Sequence, residues 1–184
     1  MSPSGKMVAV ANFRWNKWTG EIERLNTDIV VMNVDKQAQG GLRRKILIRD
    51  GGWPTWGSDN IIFFHRGIET KGQTIWGVFR YNITTKETIR VTPETFDAMT
   101  PAAISETKVA VATIRQKSLQ AVMTVQRVEV QYRHIEIFDV TALEQPMQIS
   151  QKTRPKGDHY NPFVVDGGSH IGYHRCRTDN LVKV

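Results

Sequence analysis

Apolar residues in this chain run in blocks of five or six, or alternate with polar ones, and then break at clusters of Gly, Pro, Ser and Asp. Runs that short, bounded by turn formers, predict β-strands rather than helices. Met7-Val8-Ala9-Val10-Ala11-Asn12 is the first, entered through the turn Ser2-Pro3-Ser4-Gly5-Lys6. After a loop over 13–27 comes a second strand over 28–34, dense in β-branched side chains that stand on alternating faces. Residues 37–41 turn the chain into a third, more polar strand over 44–48.

The next stretch is the most complete. Pro54-Thr55-Trp56 opens it, Gly57-Ser58-Asp59-Asn60 reads as a turn, and Ile61-Ile62-Phe63-Phe64-His65 is apolar on both faces. A strand over 74–81, a hairpin at Thr84-Thr85-Lys86-Glu87 and an outer strand over 88–91 follow, closed by Thr92-Pro93. A third stretch begins at Thr100-Pro101-Ala102-Ala103-Ile104 and turns at Ser105-Glu106-Thr107-Lys108 into a strand over 109–114. It resumes in His134-Ile135-Glu136-Ile137-Phe138-Asp139, which alternates as a half-buried strand does. Between these strands, Leu119, Val122, Met123 and Val125 leave helix and long hairpin equally open. Rising β-branched content toward Val128-Glu129-Val130 favours an extended hairpin arm. A fourth stretch holds Asn161-Pro162-Phe163-Val164-Val165, the turn Asp166-Gly167-Gly168 and a strand over 170–174.

Turn, apolar strand, loop and second strand therefore recur near Trp56, Ile104 and Phe163. A period of roughly 40–60 residues marks stacked supersecondary units, and short β units at that period indicate propeller blades. The expected fold is all-β: an incomplete β-propeller of antiparallel four-stranded blades in one domain over 1–184. Two blades are complete (51–95 and 96–154) and two are partial (1–50 and 155–184).

Composition narrows the class. The chain has 184 residues, 40% hydrophobic and 23% charged, enough for a real core and too apolar for disorder. No apolar run approaches the roughly 20 residues that span a bilayer, and the first residues contain no apolar signal-peptide region. The lone Cys176 rules out an internal disulfide framework, so a reducing, cytoplasmic setting is expected. Lys and Arg exceed Asp and Glu by 25 to 18, a net charge of +7. The basic residues are scattered in three short groups: Arg43-Arg44-Lys45 with Arg49, Lys152 with Arg154 and Lys156, and Arg175 with Arg177. Asp50, Asp158 and Asp179 lie close to them, so a solvated surface explains the charge better than a nucleic-acid footprint.

These segments resemble the TolB-type, WD-like β-propeller repeats. That pattern runs Pro, an aromatic, Ser-Pro-Asp-Gly-Lys, an apolar strand, then Asp-Ile-Tyr-Val-Met-Asn. Ser2-Pro3-Ser4-Gly5-Lys6 with Asp28-Ile29-Val30-Val31-Met32-Asn33 matches it, as does Pro54-Thr55-Trp56-Gly57-Ser58-Asp59 with Ile75-Trp76-Gly77-Val78-Phe79-Arg80. Gly51-Gly52-Trp53-Pro54-Thr55-Trp56, His159-Tyr160-Asn161-Pro162-Phe163 and Ile171-Gly172-Tyr173-His174-Arg175-Cys176 look like plant TolB-related proteins, themselves similar to the propeller domain of dipeptidyl peptidases. The resemblance covers essentially the whole chain and implies a repeat architecture while saying little about activity. Family members are much longer, so it also implies a partial propeller.

Chemistry is sparse by comparison. No Gly-x-Ser-x-Gly elbow occurs, and Gly167-Gly168-Ser169-His170-Ile171 lacks its closing glycine. His170, His174 and Cys176 share one strand face, of which His174 and Cys176 are close enough to share a metal, but no Cys-x-x-Cys or His-Glu-x-x-His accompanies them. Hydrogen-bonded structural histidines, His65 included, explain these residues better. Trp56 and Trp76 occupy positions that pack between repeats, whereas Trp15 and Trp18, in a long loop with Arg14 and Lys17, are the binding candidates. Asn82-Ile83-Thr84 is a glycosylation sequon that matters only in a secreted protein.

The expected function is a non-enzymatic protein-interaction module, with no catalytic residue, metal or cofactor, that binds another protein or itself and no membrane. One alternative is a non-catalytic propeller remnant of a peptidase-like enzyme, and another is a basic surface for nucleic acid. Phosphate contacts release counterions, so binding to nucleic acid that stayed flat between low and moderate salt would exclude the last.

Overall fold

The computed structural model describes residues 1–14, 27–34, 44–70, 73–115, 133–142, 146–148 and 157–177. The expected hairpin arm over 115–133 lies almost wholly outside the described residues. Strands β1 (Met7–Phe13), β2 (Thr27–Asn33) and β3 (Lys45–Ile48) form the first sheet. The second holds β4 (Gly52–Ser58), β5 (Ile61–Thr70), β6 (Gln73–Asn82) and β7 (Thr88–Arg90). The third holds β8 (Phe96–Ala103), β9 (Lys108–Arg115), β10 (His134–Asp139) and β11 (Met147–Gln148). The fourth holds β12 (Gly157–Val165) and β13 (His170–Arg177), joined through a 3-10 turn at Asp166–Gly168. The fold is all-β: four antiparallel sheets, each a meander in which successive strands are hydrogen-bonded neighbours.

Local chemistry sets the meander. The β5–β6 ladder runs in unbroken register from Ile61 opposite Asn82 to Thr70 opposite Gln73. Beyond it, the Asn82 side chain accepts the N–H groups of Thr84 (2.9 Å) and Thr85 (3.1 Å), and Lys86 takes a left-handed φ of 66°. That Asx-type turn reverses the chain into β7.

Two-sided burial stacks the sheets. On β5, Ile61 and Phe63 face the third sheet and join Val78, Val91, Ala98, Val109, Val111 and Phe138. The intervening Ile62 and Phe64 face the first sheet and join Ile29, Ile48 and Tyr81. β9 repeats the device: Val109 and Val111 face the second sheet, while Ala110 and Ala112 pack with Ile135, Ile171 and Tyr160 toward the fourth. Strands with a side-chain period of two and apolar residues at every position have no solvent face, so each needs a sheet on either side. Close approach follows: a Cβ on Gly57 would lie 2.6 Å from the Ser105 carbonyl oxygen, so only glycine fits where the second and third sheets meet.

The structure differs from the expected pattern at the first strand of each middle sheet. Gly57 and Ser58 belong to β4 rather than to the turn, which is confined to Asp59-Asn60, and β8 starts at Phe96 rather than at Thr100. Gly and Pro normally punctuate strands, and here they sit at bulges inside them.

Phe63, with 0% exposure, anchors the interface of the second and third sheets. Replacing it with alanine is expected to cost about 3–5 kcal/mol by urea unfolding. Met147→Ala, at an exposed position (64%), should stay within about 0.5 kcal/mol of the parent.

Candidate functional site

Of the binding candidates, Trp15, Lys17 and Trp18 lie outside the described residues. Arg14 is described and is committed to the fold. Its guanidinium bonds the Asp28 carboxylate at 2.7 Å and pairs with Asp50, and both partners raise its pKa. Asp28 is nearly enclosed, with 4% of its side chain exposed. Burial by itself would raise its pKa, but the Asp50 N–H (3.0 Å), Arg14 and Arg49 outweigh that and hold it below the ordinary carboxylate range. Thr27, beside it, donates its hydroxyl to the Gly51 carbonyl at 2.8 Å, and Gly51 N–H returns a bond to Thr27 at 2.9 Å. Arg14 therefore fastens the first sheet to the segment entering the second. Arg49, from one of the three basic groups, is turned to the same carboxylate.

His174 and Cys176 lie two apart on β13, both exposed. The His174 ring stands edge-on to Tyr160 at 5.7 Å, and Cys176 is opposite Asp158 in register. Among the described residues no three His, Cys, Asp or Glu side chains converge as a metal site. Near them, Ser169 Oγ is 2.9 Å from His170 Nδ1, and Asp166 Oδ2 is 3.5 Å from that same nitrogen. A nucleophile–base–orienter relay needs opposite ring nitrogens, so this trio is not arranged as a triad. His170 and Asp166 are also more than 70% exposed.

The sheets share a motif that the one-dimensional pattern conceals. Asp50-Gly51-Gly52-Trp53-Pro54, Asp97-Ala98-Met99-Thr100-Pro101 and Asp158-His159-Tyr160-Asn161-Pro162 open β4, β8 and β12. In each, the residue before proline has positive φ: 52° at Trp53, 49° at Thr100 and 48° at Asn161. Each coincides with a register shift in the ladder. A left-handed backbone costs an L-residue about 1–2 kcal/mol, and a β-branched Thr is the least suited to it. The aspartates tie neighbouring sheets. Trp76 N–H donates to Asp97 at 2.9 Å, Arg133 Nη2 meets the other Asp97 oxygen at 2.7 Å, and Arg133 N–H donates to Asp158 at 2.7 Å. His159 N–H completes the link to the Arg133 carbonyl at 3.0 Å. Equal spacing of Asp and Pro was the available sequence signal.

His65 sits against the middle bulge. Its Nδ1 accepts the Thr100 N–H at 3.2 Å, which leaves the neutral ring with its proton on Nε2. Trp76 covers one side at 4.9 Å between ring centroids, and Trp53, 48% exposed, lies at 6.4 Å. Trp56 packs between the first and second sheets. On the fourth sheet the Phe163 ring lies over Gly172, where an added Cβ would be 2.2 Å from it, yet Phe163 remains 49% exposed. Tyr173 is 36% exposed, with His159 at 5.3 Å. At the opposite end of the stack, Phe13, Val34 and Ile46 are 41–51% exposed. No family model and no curated protein matches the chain.

Burial lowers the His65 pKa to about 4 from 6.5. Unfolded chains then bind the proton more tightly, so this contribution is complete above about pH 6.5 and declines as pH falls toward 4, by about 3 kcal/mol in all. The urea midpoint is expected to drop over that range, and His65→Gln, which cannot titrate, should flatten the decline. An identical pH profile in the variant would contradict this assignment.

Proposed function

We propose that the chain is a non-enzymatic protein-interaction module, an arc of TolB-like propeller blades, two of four strands flanked by two shorter ones. The observation that carries this is Phe163 on the last sheet, a large apolar ring left half exposed. Every internal junction of the stack is an apolar face laid on another apolar face. The last sheet presents a side chain of the same kind, Phe163, to solvent. A sheet from another protein chain, apolar on its facing side, is the occupant such an end would accept, and aromatic anchors commonly dominate such contacts. Electrostatics plays a lesser part in this reading, because Arg14, Arg49 and Arg133 are turned to aspartates of the fold and Arg66, Arg80 and Arg90 to backbone carbonyls.

Light scattering on the purified chain is expected to give a mass above 21.0 kDa that falls to a single chain in Phe163→Asp. A sharp 21.0 kDa peak with a cooperative melt at all concentrations would remove self-pairing. Failure of immobilised chain to retain any protein that Phe163→Asp loses would then remove the interaction reading itself.

A further inference from the structure

Where the first and second sheets meet, a cleft of about 520 Å³ is lined by Leu47, Ile48, Arg49, Arg66, Tyr81 and Thr88, among others. We propose that this cleft binds a small carboxylate-bearing molecule with an apolar body, held by Arg66, Arg49 and the Tyr81 hydroxyl. Clefts of this size accept molecules of metabolite dimensions.

Arg66 is the fixed element. Its guanidinium carbon lies 5.1 Å from the Phe64 ring centroid and 5.3 Å from that of Phe79. Nε–H donates to the Asp50 carbonyl and one Nη2–H to the Arg49 carbonyl, both at 2.8 Å. Those bonds use two of five N–H groups, and the other three have no protein acceptor among the described residues. A guanidinium stacked and anchored in this way is a preorganised fork for a carboxylate. Tyr81 supplies the second observation. It is only 8% exposed and lines the cleft, yet its hydroxyl has no protein partner among the described residues. The enclosed polar atoms without a partner among the described residues are Trp56 Nε1, Thr100 Oγ1 and Arg133 Nη1, so the Tyr81 hydroxyl is open to solvent and accessible to a molecule in the cleft.

Charge selects the ligand. Among the described residues, Arg14, Arg49 and Arg66 face Asp28 and Asp50 in this corner, an excess of one positive charge. Asp50 also lines the cleft, with its carboxylate paired to Arg14. Arg49 is 69% exposed and pairs with Asp28 at 3.5 Å, so a ligand recruits it in competition with that carboxylate. A monoanion balances the excess, and a dianionic phosphate overshoots it. Leu47 is the apolar side of a lining that is otherwise mostly polar, enough to meet a body of about one ring.

Sodium benzoate is the probe, followed by the Arg66 Nε–H resonance and by calorimetry. A saturable shift is expected with a Kd of about 1 mM or below. Tyr81→Phe, which keeps the packed ring, should weaken binding about tenfold, the loss of one hydrogen bond to a charged group. Arg66→Gln should abolish it, and neutral benzamide should leave the resonance in place. The proposal is overturned by an equal response to benzamide, by no saturation at about 10 mM benzoate, or by parental affinity in Tyr81→Phe. Tighter binding of inorganic phosphate through the same residues would overturn the choice of a carboxylate. Should Arg66→Gln fail to fold, Tyr81→Phe and benzamide decide the matter.

Discussion

Two strands with no face for water organise this protein. β5 presents Ile61 and Phe63 to one side and Ile62 and Phe64 to the other, all at 2% exposure or less. β9 does the same with Val109 and Val111 against Ala110 and Ala112. Neither could lie in a sheet with one solvated face, so the second and third sheets must each be sandwiched. Small residues on one face of β9 and large ones on the other let the third sheet approach the fourth closely while interlocking with Phe63 and Phe138 of the second interface. Apolar burial thus dictates stacking, and exposed apolar side chains remain on middle and end sheets alike, among them Trp53, Met147 and Phe163.

Polar groups fix how the sheets are set against one another. Asp97 and Asp158 each receive a backbone N–H from the neighbouring sheet or its entry, and Arg133 links the two by side chain and main chain. Asp50 takes the corresponding position at the first junction, using its own N–H toward Asp28 and its carboxylate toward Arg14. The positive-φ residue and proline that follow each aspartate bend the strand after this contact is made. Three strained residues are tolerated because apolar packing on both sides overdetermines the path of the chain.

Two polar clusters of this architecture contrast in how their groups are placed. Ser169 and His170 touch, but Asp166 shares the wrong nitrogen. The Arg66 corner differs in kind. It keeps unspent donors beside the Tyr81 hydroxyl, whereas the Arg14 and Arg133 guanidiniums are each paired to an aspartate of the fold.

Strand positions were largely legible in the sequence, because short apolar runs between turn formers report a period-two backbone whatever lies around it. β5, β6, β9 and β10 contain the segments so read, and β2 covers all of 28–34 except Val34. Blocks apolar on both faces, such as 61–65, also announced that sheets must cover them twice. The first strands of the middle sheets were hidden, since Trp53-Pro54 and Thr100-Pro101 look like strand breakers and only the bulged ladder shows how they are accommodated. The site was less legible still. Arg14 reads as a loop cation until Asp28 and Asp50, distant in sequence, close around it. Arg66 and Tyr81 are ordinary members of two strands until the first sheet arrives beside them. Local periodicity is written in consecutive residues, but charge pairing and open volume depend on which distant segments stacking brings together, and that only the tertiary structure decides.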